Sequence, residues 1–266
     1  MKKCYLVFIV LLVFISLSLL PRKKEIKINY ELIKNENKIV IYYVYDDKLF
    51  GVPILSYSDK YQMIEDAFSL LTNKSNMAPL GYNSKLIPSS KLESYEIFNN
   101  DLFLDFSNDF YRAKKEDINL VLGQIYYTYL ELGYDNVYIV EDGVLVDFIY
   151  DAYIANGIGK KLMVNLDIQT PLPASKTISV FYLYPNNTIT FTKYLVDENT
   201  DEFEFIINKL IKFINKRYGY NIVLDEFKVI DGKMYLTLSN GKADKDILEQ
   251  FLLINFELEE DYFYIS

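Results

Sequence analysis

The chain has 266 residues, 51% hydrophobic and 16% aromatic, with 25 Tyr, 18 Phe, one Cys and no His. That is enough apolar material for one or two packed domains; the missing His excludes Ser-His-Asp and Cys-His nucleophile systems and His-based metal sites, and the single Cys excludes an intrachain disulfide. The net charge is −9, and since the first 24 residues hold five cations and no acid, the remainder carries −14, a balance that repels nucleic acid and anionic lipid surfaces.

Lys2 and Lys3 precede an uncharged run at residues 4–20, which Pro21 and Arg22-Lys23-Lys24 end. Seventeen residues reach the lower limit for spanning a bilayer core. With basic flanks at an extreme N-terminus, residues 1–20 read as an uncleaved signal anchor, the body lying outside the cytoplasm. A cleaved signal peptide is the alternative, although the small-residue pair Ser16 and Ser18 falls inside the run. Cys4 precedes the run, the wrong side for a lipoprotein signal. Residues 21–37 are polar and read as a stalk.

Periodicity supplies the body. Residues 39–45 and 49–56 are strands about Asp46-Asp47-Lys48. Ser58 or Asp59 caps a helix with Tyr61, Ile64, Phe68 and Leu71 on one face. A polar loop at 72–91 contains Gly81 and Pro88. Residues 92–98 and 102–106 form a hairpin across Asn99-Asn100-Asp101. A helix from about Lys115 aligns Ile118, Val121, Leu122, Ile125, Tyr129 and Leu132, and Gly133 stops it. Residues 137–140 and 144–148 pair about Glu141-Asp142-Gly143.

Residues 158–176, with Pro171 and Pro173, read as a semi-rigid linker. Strands at 178–184 and 188–196 follow, then a helix capped by Asn199 with Glu202 and carrying Phe203, Ile206, Ile207, Leu210, Ile211 and Ile214. Residues 227–230 and 233–238 pair about Asp231-Gly232. A helix from about Asp244 carries Ile247, Leu248, Phe251, Leu252 and Asn255, and 262–265 is a closing strand. The order repeats: residues 38–45 align with 177–184, and 100–108 with 232–240. Two copies in one order indicate a duplicated α+β domain, each copy a small antiparallel or mixed sheet with two helices on one face. The expected units are 38–157 and 177–266.

The first copy resembles the GerMN-domain family of GerM-type sporulation and germination proteins. The resemblance is carried by Gly81, Ser84 and Ile87-Pro88 before the central hairpin, by Asp105, Ser107 and Phe110 at its strand end, by Gln124 and Thr128 in the following helix, and by Gly143 in the closing turn. It covers residues 38–148 well and 177–266 weakly. Ser89-Ser90-Lys91 stands where the family usually has Gly-Thr, and the second copy lacks the Ile-Pro loop and the Gln/Thr pair. The resemblance implies a fold similar to ring-building motifs and a non-enzymatic envelope protein of spore formation. It also implies protein partners of a SpoIIIA–SpoIIQ-like assembly between mother cell and forespore.

No catalytic, metal or cofactor site is expected. The acid pairs Asp46-Asp47 and Glu141-Asp142 suit turns, Asp105 and Ser107 suit a strand end, and Glu259-Glu260-Asp261 suits a solvated helix end. Gly157-Ile158-Gly159-Lys160-Lys161 lacks the spacing and Ser/Thr of a phosphate loop. Tyr suits half-buried strands; an exposed aromatic surface would serve glycan stacking or protein contact. Function therefore reads as a membrane-anchored extracytoplasmic interaction scaffold presenting strand edges and helix faces, the alternative being a ligand-binding or sensor module that regulates wall remodelling.

Overall fold

The structure, a computed structural model, describes residues 37–72, 78–159, 175–184, 188–231, 233–239, 245–256 and 263–265. The expected anchor, and the linker prolines Pro171 and Pro173, lie outside the described residues. Among the described residues no helix is long and apolar enough to cross a membrane.

Strands β1 (Lys38–Tyr45) and β2 (Lys48–Leu55) pair antiparallel about Asp46-Asp47. Both turn residues have positive φ, as a two-residue hairpin demands. Helix α1 (Lys60–Thr72) buries Ile64, Ala67, Phe68 and Leu71, while Tyr61, expected on that face, is 63% exposed. Asp59 caps it, its Oδ1 accepting the N–H groups of Tyr61 and Gln62. β3 (Leu92–Phe98) and β4 (Asp101–Phe106) pair about Asn99-Asn100. Helix α2 (Ile118–Glu131) is apolar enough to be buried on most of its surface. The chain then returns as β5 (Asn136–Glu141), parallel to β4. β6 (Val144–Leu145) is shorter than the expected 144–148, and β7 (Phe148–Ile149) leaves it to pair with β8 (Ala152–Tyr153). β9 (Ile158–Gly159) pairs with β5, so the expected linker begins inside a sheet.

The second copy repeats the order. β10 (Ser175–Leu183) and β11 (Ile189–Asp197) pair antiparallel. Helix α3 (Glu202–Tyr218) buries Ile206, Ile207, Leu210, Ile211 and Ile214 and ends at Gly219 in the left-handed conformation. Its cap is Asp201, whose side chain accepts from the Glu204 N–H. Asn199, the expected cap, instead binds Asp197, and Phe203 is 41% exposed. β12 (Val223–Ile230) pairs with β13 (Lys233–Ser239), helix α4 (Lys245–Phe256) crosses over, and β14 (Phe263–Ile265) returns parallel to β13. Strand–strand–helix–strand–strand–helix–strand thus occurs twice, and the last strand is parallel in both copies.

Each copy was expected to hold one sheet. Instead the leading hairpins of both copies join in a single sheet of order β1-β2-β11-β10, and each second hairpin forms a flanking sheet with its own return strand. Periodicity identifies a strand and its buried face, not its neighbour. The seam is the antiparallel pair β2–β11, registered at Gly51 and Phe191. Gly51 lies opposite Tyr42, and Phe191 opposite Phe181. One row across the sheet therefore reads Tyr42, Gly51, Phe191, Phe181. One apolar cluster contains buried residues of both copies.

Candidate functional site

Helix α2 lies along the open edge of β1. The Tyr42 N–H donates to Thr128 Oγ1 at 3.1 Å, and the Tyr42 carbonyl accepts from Gln124 Nε2 at 2.8 Å. Gln124 Oε1 accepts the Lys85 N–H at 2.7 Å, and its Nε2 also reaches Ser84 Oγ at 3.4 Å. Gln124 and Thr128 are fully buried. Two residues further along the edge, Val44 exchanges both backbone bonds with Asn83, at 2.8 and 3.0 Å.

The opposite edge carries the same device in another residue. Asn255 of α4 accepts the Phe181 N–H and donates to the Phe181 carbonyl, both at 2.8 Å. Tyr42 and Phe181 hold matching places in the repeat. The Gln/Thr pair that the second copy lacks is thus replaced by one amide. The signal was readable: an Asn in an apolar helical stripe must find buried partners. With these positions satisfied, the central sheet is guarded against strand addition, contrary to the expectation that strand edges there meet partners. Gln124→Leu would orphan the Tyr42 carbonyl and the Lys85 N–H, and is expected to cost about 2–4 kcal/mol. Asn255→Leu is expected to cost a similar amount. Urea midpoints measure both, and an unchanged midpoint would show that these groups are not closed off from water.

The flanking sheets leave one face open. On the first, Phe103 of β4 stacks on Tyr138 of β5, with centroids 4.8 Å apart and planes at 11°. On the second, Tyr235 of β13 stacks on Tyr264 of β14 at 4.8 Å and 9°. Each pair is registered across the parallel strands of its copy. A depression of about 530 Å³ beside the first pair is lined by Glu96, Phe98, Phe103, Asp105 and Leu145 among others. Loss of hydration and then the Asp142 charge raise the Asp105 carboxyl above its ordinary range.

A different surface lies where the first hairpin meets α3. A groove of about 270 Å³ is walled by Phe50, Tyr182, Tyr194 and Phe213, with Lys48, Lys209, Lys212 and Lys216 at its rim. Lys209 Nζ sits 4.4 Å from the Tyr194 ring centroid, and Lys48 Nζ 5.6 Å from it. Lys216 pairs with Asp46. Alternating polar and apolar residues gave no hint of this groove, because its two sides come from different copies.

The motif residues separate into groups. Ser84, Gln124 and Thr128 meet at the Tyr42 edge, and Gly81, at φ +91°, lies against the Tyr45 ring. Ile87 is half-buried and Pro88 exposed, in a turn closed by the Ser90 N–H on the Ile87 carbonyl; Leu86 is the core residue there. Ser107 Oγ accepts the Lys91 N–H at 2.9 Å. Phe110 is buried against Phe106. Asp105 and Gly143 border the depression on the first flanking sheet. Asp109, four residues beyond Asp105, binds Arg112 at 3.0 Å; of the acid pairs, Asp46-Asp47 and Asp142 make turns, and Glu259-Glu260-Asp261 lies outside the described residues.

No protein-family model and no curated protein matches the sequence. Among solved structures, the chain is similar to the tandem GerMN domains of the sporulation protein GerM from Bacillus subtilis, with 18% identity and a TM-score of 0.53 over 86% of this chain and 90% of that one. The first GerMN domain of that protein aligns at 19% identity and a TM-score of 0.42 over 47% of this chain and 98% of that one. The chain has the fold of tandem GerMN domains.

Proposed function

We propose that the protein is a non-enzymatic, extracytoplasmic sporulation protein, tethered through residues 4–20, that acts as an interaction scaffold in the envelope between mother cell and forespore. The observation that carries this reading is the paired GerMN-type fold, joined through one sheet and offering an aromatic outer face on each copy. Aromatic side chains in a partly open patch supply contact area at small entropic cost. A fused pair of modules presents both patches at a fixed separation, and a tether raises their effective concentration at one membrane. The partners on this reading are proteins of a SpoIIIA–SpoIIQ-like assembly.

The test is genetic. Deleting the gene in the source organism is expected to lower the yield of heat-resistant spores sharply while vegetative growth stays normal. The doubly substituted Phe103→Ser/Tyr235→Ser chain is expected to accumulate at the membrane without restoring that yield. Normal sporulation in the deletion strain would overturn the sporulation role, and full restoration by the double variant would overturn the aromatic faces as the working surfaces.

A further inference from the structure

The open faces of the two flanking sheets match in their aromatic residues and differ in charge. Glu96 lies opposite Phe103 across β3 and β4, and Lys228 holds the same place opposite Tyr235 across β12 and β13. Asp101, opposite Phe98, is likewise matched by Lys233, opposite Ile230. The depression on the first face is bordered by Glu96, Asp105 and Asp142 and, among the described residues, by no cation. None of these three carboxylates enters an ion pair among the described residues, whereas Lys228 on the second face is paired with Glu226. Between the acids the first face is apolar and open. Phe98 is 67% and Leu145 45% exposed, and Phe103 is half-buried.

That combination narrows what can cover the face. A purely apolar partner or a neutral lipid would strip water from three carboxylates and return no bond to them. An anionic surface would meet like charge, and a neutral glycan would leave the carboxylates repelling one another. Apolar side chains flanked by cations satisfy both the rings and the acids. Size narrows it further. The opposite side of this sheet, with Leu102, Leu104, Val137 and Ile139, is buried, so the open face is the bare layer of a sheet-and-helix stack. From β3 to β6 it is about 14 Å wide at ~4.8 Å per strand, room for one helix of about 10–12 Å diameter. The six residues of β4 run about 20 Å, the length of about 14 helical residues. We infer that the open face of the first copy binds a cationic amphipathic helix of a partner protein, its apolar stripe on Phe98, Phe103 and Leu145 and its Lys or Arg side chains against Glu96, Asp105 and Asp142. This rests on the aromatic faces being contact surfaces and gives one of them its partner chemistry; the second face, with lysines at the matching places, takes no such helix.

The full chain, held in a non-ionic detergent, is titrated into a fluorescently labelled peptide of about 14 residues with Leu at helical spacing and Lys beside it. Salt at about 0.15 M screens diffuse attraction, and empty micelles give the background. The anisotropy is expected to saturate at one peptide per chain with a Kd on the order of 10 μM. A peptide with Glu in place of Lys, and one interrupted by proline, should bind at least about tenfold more weakly, and chitotetraose, a neutral glycan, should not displace the Lys peptide. Glu96→Lys/Asp142→Asn and Phe98→Ser, all at exposed positions, should each lose at least about tenfold in affinity with an unchanged far-UV spectrum. Glu116→Lys/Glu198→Gln changes the net charge equally at exposed positions outside the depression and should bind as the native chain does. The inference is overturned if the Lys peptide does not saturate, if it binds twice per chain, if the proline peptide binds equally, if chitotetraose displaces it, or if the two charge variants lose affinity alike. Absence of peptide binding, with spores still lost in the aromatic double variant, overturns this inference and leaves the faces as contact surfaces. Peptide binding with normal sporulation in the deletion strain overturns the sporulation role alone.

Discussion

Replacing Gly51 by valine is expected to force apart the seam that joins the two copies. A Cβ at this position would lie 2.8 Å from two ring carbons of Phe191 and 2.9 Å from a Val40 methyl. The Phe191 ring has little room to withdraw. It is 8% exposed, with the rings of Tyr42 and Phe181 on either side at 6.0 and 5.5 Å. Gly51 and Phe191 stand at matching places in their hairpins, opposite Tyr42 and Phe181, and they face each other across β2 and β11. Two large side chains would collide there, and glycine in one copy makes space for phenylalanine in the other. Overpacking of this kind costs about 3 kcal/mol or more, a large part of a stability of roughly 5–15 kcal/mol. The denaturation midpoint should drop accordingly. A double-mutant cycle makes the cause specific. Gly51→Ala and Phe191→Ala should each destabilise, the second through a cavity costing about 3–5 kcal/mol. Together they should cost less than their sum by about 1 kcal/mol or more. Strict additivity would refute close packing at the seam.

That seam also shows what a sequence conceals. The strands, the helices and the repeat were legible because side-chain periodicity reports which face of an element is buried. Asp-Asp, Asn-Asn and Asp-Gly marked the turns through their tolerance of positive φ. Sheet membership was not legible. The pairing of β2 with β11 joins positions far apart in sequence, and hydrophobic strands pair equally well within a copy or between copies. Gly51, alone inside an apolar strand, was the one local mark of close approach. The motif residues Gln124 and Thr128 were found through resemblance, whereas Asn255, which does the same work, was counted as another member of an apolar stripe. The lysine groove had no signature at all, since Lys48 and the three lysines of α3 are ordinary surface residues until the hairpin and helix are brought together.

Mild alkali is expected to unfold the chain cooperatively, because so much of its core is tyrosine. Tyr42, Tyr82, Tyr126, Tyr129, Tyr134 and Tyr184 are at most 7% exposed. Burial is the largest cause raising each of these phenols above its ordinary value, Tyr134 to about 12. Above pH 10 the unfolded chain releases phenolic protons that the folded chain keeps. The stability they contribute is therefore complete below pH 10 and is lost as pH rises toward the folded values. Each such group removes up to about 1.4 kcal/mol per pH unit, so six remove up to about 8. A stability of roughly 5–15 kcal/mol is then exhausted between about pH 11 and 12. Tyrosinate absorbance of the buried set and loss of the far-UV signal should coincide in one step. Tyr126 supplies the control. Its hydroxyl has no hydrogen-bond partner among the described residues, so Tyr126→Phe costs no bond and removes one ionising group. That variant should be as stable as the native chain at neutral pH and should unfold at higher pH with a shallower dependence. Ionisation of the whole buried set with the helices intact would show that these phenols already reach water.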